Sequence, residues 1–263
     1  MIHLGRAAFL FGVASYSGIS FHLLGIGWAS LGGLFITITL ALYFYALSRE
    51  DASRIAPIIA TTPVFTFGIA SVLFGEWPTA LEVTSLLVVV AGIVAINLQP
   101  ARGTIGFTKM KPFLAALTSS FAAASAFIAM DKATQHIDPV SADAFRTLCV
   151  GLFVGLFVWR KALIRSARTA LSDRETLVLF LITEGVIAVG FMALFTYAVS
   201  VGPVGPVSTI VTAITPVAVF VAATILSKSG SGFLAEKTDR GTLALKLIGT
   251  TLVVAGIVAL RAG

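Results

Sequence analysis

Glu184 stands seven residues inside a long apolar run, 177–198, and a carboxylate at membrane depth costs several kcal/mol unless it is protonated, paired or hydrated. A raised pKa there would let Glu184 exchange protons or hold an ammonium group, whereas a helix that starts later would leave it shallow. Two further sites pair hydroxyls with prolines: Thr61, Thr62 and Pro63 in one apolar run, and Thr212, Thr215 and Pro216 in another. A proline inside a helix removes one backbone hydrogen bond and frees a carbonyl, which lipid tolerates only where protein or a water-lined cavity satisfies it. The adjacent hydroxyls can donate and accept toward a solute, or bond back to their own helix and make the kink purely structural. Tyr43 and Tyr197, each among aromatic neighbours, are candidates to wall a pocket, against the alternative of anchoring at head-group depth. His22 is a weaker candidate near a span end. Gly151 and Gly155 form a Gly-x-x-x-Gly step that allows close helix approach, within the chain or in a homodimer.

The elements that must position these groups are nine apolar runs: 7–24, 28–47, 55–74, 81–98, 113–131, 142–159, 177–198, 207–226 and 243–260. A run of about 20 residues crosses a bilayer core about 30 Å thick. With 57% apolar residues, 11% charged residues and a mean hydropathy of +1.00, the chain has no composition for a water-facing surface. The gaps are too short for a soluble catalytic module. A charge of +6 would point to nucleic acid in a soluble protein, but here the basic residues fall between apolar spans. The single Cys149 excludes an intramolecular disulfide and a cysteine-cluster metal site. No zinc-protease, nucleophile-elbow or phosphate-loop motif occurs, so an enzyme and a bound cofactor are not expected.

If the runs alternate across the membrane, 14 of the 18 Lys and Arg fall on one side and three on the other, with Lys246 just inside the last helix. The N-terminus is therefore expected in the cytoplasm of a cell whose inner or plasma membrane carries the protein. The string from Val88 to Ile96 returns from Leu252 to Leu260, Tyr45-Ala-Leu-Ser48 returns as Tyr197-Ala-Val-Ser200, and Thr62-Pro63-Val64 as Thr215-Pro216-Val217. Arg6 and Arg146 each open an apolar run. Equivalent spans are five apart, and an odd offset inverts orientation, the arrangement of carriers built on inverted repeats around a midplane site.

Leu42-Tyr-Phe-Tyr-Ala-Leu-Ser48, Thr61-Thr-Pro-Val64, Leu73-Phe-Gly-Glu76 and Ala91-Gly-Ile-Val94 in this order resemble the drug/metabolite transporter superfamily, in its EamA-type branch. The second half departs at Leu226-Ser-Lys-Ser, where a Leu-Gly-Glu segment would be expected. The resemblance implies an all-α integral membrane fold, an inverted five-plus-five helix repeat of which nine transmembrane helices stand here. It divides the chain into a first repeat over 1–100 lacking its first helix, a cytoplasmic linker over 101–112 and a second repeat over 113–263. It further implies an exporter or exchanger of amino acids, related metabolites or drugs, with no prosthetic group. Membrane lipid and a small-molecule substrate are the expected partners, and nucleic acid is not. A membrane-embedded enzyme on lipid-linked substrates would need acids and arginines clustered at one depth, and none is visible in the sequence; an inactive truncated carrier is the other alternative.

Overall fold

The computed structural model describes residues 2–50, 52–75, 77–97, 110–158, 188–214 and 240–260, with isolated positions between 172 and 182. In lipid each backbone N–H and C=O needs an internal partner, and helices provide one within the segment. The described elements are accordingly helical: α1 Ile2–Ser17, α2 Leu23–Leu47, α3 Ala52–Ile59, α4 Thr62–Phe74, α5 Ala80–Asn97, α6 Met110–Thr134, α7 Pro139–Val158, α8 Ala188–Val201, α9 Val204–Ile214 and α10 Arg240–Leu260. Among the described residues four stretches, Leu23–Leu47, Ile55–Phe74, Met110–Thr134 and Pro139–Leu156, are long and apolar enough to cross a membrane, and four shorter apolar helices accompany them.

The boundaries follow local chemistry. The first apolar run is expected to continue to 24, but α1 stops at Ser17 because Gly18 turns the chain at φ 91°, a conformation open to glycine. Gly75 closes α4 in the left-handed region at φ 69°, its N–H donating to the Ser71 carbonyl at 3.1 Å. At the start of α5 the Thr79 N–H donates to the Glu82 carboxylate at 2.7 Å while the Glu82 N–H donates to the Thr79 hydroxyl at 3.2 Å. This reciprocal box is written in the sequence as Thr79-Ala-Leu-Glu82. Asp138 caps α7, accepting from the Val140 and Ser141 N–H groups at 3.0 Å each.

The chain separates into two compact units, 1–38 with 125–202 and 39–124 with 203–263, each drawing on both halves of the sequence. In the second unit α5 and α10 pack antiparallel through glycines. A Cβ on Gly92 would come within 2.7 Å of the Gly249 carbonyl and 2.9 Å of Val253, and one on Gly256 would meet Val89 at 2.5 Å and the Ser85 carbonyl at 3.0 Å. Without side chains at these points the backbones come close enough for continuous van der Waals contact, which holds helices together where lipid removes the hydrophobic drive. Leu86, Val89, Ile93, Ile96, Val253 and Leu260 line that seam and continue into Ala60 and Phe67 of the α3–α4 segment.

In the first unit α1 lies on α7, with Phe11 and Phe145 edge to face at 5.1 Å. Within the Gly151-x-x-x-Gly155 step, Gly155 is not where α7 is approached closely. A Cβ on Gly155 would meet nothing within 4 Å, whereas one on Gly33 of α2 would strike the Arg146 carbonyl at 2.6 Å and the Cys149 Cβ at 2.8 Å. Cys149 is thus a small packing residue under α2.

Gly249→Val is expected to destabilise the protein by about 1–3 kcal/mol, because its Cβ would overlap the Gly92 carbonyl and the Ile96 backbone. Gly68→Ala, where a Cβ meets nothing within 4 Å, should be neutral or slightly stabilising. Thermal unfolding of the two variants in detergent checks the contrast.

Candidate functional site

The span 55–74 is broken at Ala60 and Thr61, and the break is where hydroxyls gather. Pro63 has no N–H, so the Ile59 carbonyl four residues before it has no helical donor; the Thr62 hydroxyl donates to it instead, at 2.7 Å. The Ile58 carbonyl takes the Thr61 N–H at 3.1 Å, the Thr61 hydroxyl at 2.6 Å and the Ser120 hydroxyl of α6 at 3.1 Å. Next to Ser120, the Ser119 hydroxyl donates to the Thr39 carbonyl of α2 at 3.0 Å, and Phe121 meets Phe65 edge to face at 5.7 Å. Tyr43, Ile58 and Ile59 each pack against the buried cluster of Ala46, Ile55, Ala115 and Ala116.

Of the residues expected from the sequence, Thr61, Thr62 and Pro63 lie together at the break, and Tyr43 flanks the same cluster as Ile58 and Ile59. Thr62 and Pro63 are buried in helix packing, while Thr61 and Tyr43 are half-buried. Thr212 lies in the same unit on α9, its hydroxyl donating to the Ser208 carbonyl at 2.8 Å; α9 meets α4 where Gly205 lies against Phe67, and its Ala213 shares a cluster with Ala60. Tyr197 belongs to the first unit and is 61% exposed. The two Tyr-Ala-x-Ser strings close identically, the Ser48 hydroxyl donating to the Tyr45 carbonyl and the Ser200 hydroxyl to the Tyr197 carbonyl, both at 2.7 Å. Glu184, Thr215 and Pro216 lie outside the described residues.

The first unit holds a cluster that single-residue reading of the sequence missed. The Asp143 carboxylate accepts from Arg146 on its own helix, through Nε at 3.0 Å and through Nη2, and from Arg6 of α1 at 3.4 Å. Side-chain exposure is 1% for Asp143, 5% for Arg146 and 8% for Arg6. The expectation that no acid and arginine cluster at one depth is overturned. The readable signal was Asp143 and Arg146 three residues apart, hence on one helix face, inside an apolar run.

At the N-terminal end of α7 the Ser20 N–H donates to the Ser141 hydroxyl at 3.3 Å, and the exposed rings of His22 and His136 stack with centroids 5.0 Å apart. Burial works to raise the Asp138 carboxyl. The Ser141 hydroxyl and N–H, the Ser20 hydroxyl and the Val140 N–H outweigh it and hold the group below its ordinary value of 3.8. Among the described residues no three His, Cys, Asp or Glu converge on a metal position.

A span broken at satisfied carbonyls and charges paired wholly within apolar helices are the parts from which solute-carrying membrane proteins are built. The EamA-like transporter family matches residues 2–98 and again 110–261, and the chain belongs to that family. It is an integral membrane transporter of the drug/metabolite type. No curated relative matches it. Among solved structures 29 chains match; one, described only as the crystal structure of a protein, is similar with a TM-score of 0.74 at 16% identity, over 99% of this chain and 86% of that one. At that identity the likeness is one of fold.

Asp143→Asn should cost about 3–5 kcal/mol, since it removes the carboxylate that two buried guanidiniums share; Arg6→Gln should cost less than half as much because the Asp143–Arg146 pair survives. Equal losses in thermal unfolding would contradict this division. Asp138→Ala should cost roughly 0.5–2 kcal/mol at neutral pH through the lost cap. Because the folded carboxyl titrates below its ordinary value, its stabilisation is complete above that value and is lost as pH falls through the lowered one. Parent and variant should therefore begin to converge only as the pH is taken below 3.8, and meet below the lowered value.

Proposed function

We propose that this chain is a secondary transporter that exports or exchanges small metabolites such as amino acids or amine-like compounds, by alternating access between two inverted repeats with nine spans. The reciprocal glycine contact carries this reading. Adding 164 to Ser85, Val89 and Gly92 gives Gly249, Val253 and Gly256, the repeated string of the sequence. Gly92 meets Gly249 and Val253, while Gly256 meets Ser85 and Val89. Each side thus makes the other's contact, as an isologous pair does about a two-fold axis, and the antiparallel course fits an axis in the membrane plane.

The proposed substrate contacts are Tyr43, Thr61, Thr62, Pro63, Glu184, Tyr197, Thr212, Thr215 and Pro216. Hydrogen-bond polarity supports an amine-bearing solute. The hydroxyl protons of Thr61, Thr62 and Thr212 are already donated to backbone carbonyls, so what these oxygens retain is acceptor capacity, which suits an N–H group better than a carboxylate. The buried Arg6–Asp143–Arg146 cluster is the feature that a lipid-modifying enzyme would have required. Its carboxylate is enclosed by the two arginines, and membership of a transporter family favours a latch joining α1 to α7 over a reacting group. A cytoplasmic N-terminus is supported by the charge bias, which stands at thirteen against two once Arg6 and Arg146 are withdrawn into the cluster.

Counterflow of labelled amino acids and organic cations in proteoliposomes tests the reading. Tyr43→Phe should raise KM by roughly two- to tenfold, the worth of one hydrogen bond. Glu184→Gln should abolish the pH dependence of uptake. Absence of counterflow for every amine and amino acid tested would refute the substrate class.

A further inference from the structure

The Ile58 carbonyl has more donors than it can fully use. A carbonyl oxygen carries two lone pairs, and three donors converge on this one: the Thr61 N–H, the Thr61 hydroxyl and the Ser120 hydroxyl. Two come from the broken span itself, and the third reaches in from α6, one residue from the Ser119 hydroxyl that ties α6 to α2 at Thr39. Ser120 is fully buried, so its hydroxyl is shut off from bulk water. In such surroundings a helix break moves cheaply only when no backbone group loses its last partner. Ser120 can leave the Ile58 carbonyl without that penalty, because both Thr61 donors stay with the carbonyl as part of the break.

We infer that the Ile58 carbonyl is an exchangeable hinge contact. Ser120 is the positioning residue that holds the α3–α4 break in this conformation and releases it when the carrier changes state. This rests on the alternating-access reading above. The adjacent side chains fit the assignment: Ser119, Ser120 and Phe121 grip α2, the break and α4 in turn, so one turn of α6 holds both arms of the broken span. Pro63 sets where the bend falls, and the Thr62 hydroxyl keeps the Ile59 carbonyl paired through the movement.

The shared carbonyl makes a prediction that ordinary packing does not. Removing either hydroxyl alone leaves two donors for two lone pairs, so each loss is buffered; removing both leaves the N–H alone. Hydrogen exchange at the amides of Ala60, Thr61, Thr62, Val64 and Phe65, measured on the purified chain in nanodiscs without solute, reads this directly. Thr61→Val should change exchange by less than about twofold, Ser120→Ala should raise it roughly two- to fivefold, and the double variant should exceed the product of the two, reaching tenfold or more. Ser120→Thr, which keeps the hydroxyl, should return exchange toward the parent. In counterflow, Ser120→Ala should change the maximal rate by a similar factor with KM within about twofold, because Ser120 acts on the break and not on the solute. Unchanged exchange in Ser120→Ala would overturn the positioning role, and single effects that simply multiply would overturn the shared contact. A change confined to KM would make Ser120 a substrate contact instead and overturn the positioning role. Exchange effects as stated in a parent that carries out no counterflow would refute the transport reading and with it the release step, while leaving the carbonyl contact itself intact.

Discussion

Inside a bilayer a backbone carbonyl that loses its helical donor has no water to turn to, and the arrangement around residues 58–63 is governed by that fact. Pro63 deprives Ile59 of a donor, and the break at Ala60 and Thr61 loosens Ile58. The chain supplies hydroxyls at each point: Thr61 and Thr62 from the break, Ser120 from α6. Elsewhere the same device runs along regular helices, where Thr37, Thr66, Thr209 and Thr250 return their protons to a carbonyl four residues back. Polar side chains can therefore sit deep in apolar spans at little cost, and a transport pathway can be polar without being charged.

Charge is handled by a different rule. The Arg6–Asp143–Arg146 cluster keeps three charge-bearing side chains between α1 and α7 by pairing both arginines with the one carboxylate, because a lone ion at that depth would be expelled or neutralised. Together with the glycine seam of α5 and α10, it shows two ways of joining helices where lipid offers no hydrophobic drive: close backbone approach and ion pairing.

The helices were legible because a membrane span needs a long apolar run and the chain has little else. Their ends were less so. Gly18 cuts α1 short at a φ that the letters allow but do not demand, whereas the Thr79–Glu82 box is legible in the letters. The proline kink and its threonines were found from Pro63. That both hydroxyls spend their protons on their own backbone follows from distances no sequence carries. The charge cluster was missed because Arg6 and Arg146 were weighed as span openers on opposite faces, one residue at a time. Its meaning lies in a partnership between positions 137 apart. At Gly155 no neighbour lies within 4 Å of an added Cβ, while Gly33, which follows Gly25 and Ala29 at steps of four, makes a tight contact with α7.

That separation of 137 residues has a consequence for biogenesis. At elongation rates of about 5–20 residues per second, α1 leaves the ribosome roughly 7–27 s before Asp143 exists to meet Arg6. During that interval the insertion machinery or the head-group layer must shelter a cation that the finished protein encloses. The ion pair that joins the first helix to the seventh therefore forms only after the seventh has been made, and the order of synthesis is not the order in which such contacts close.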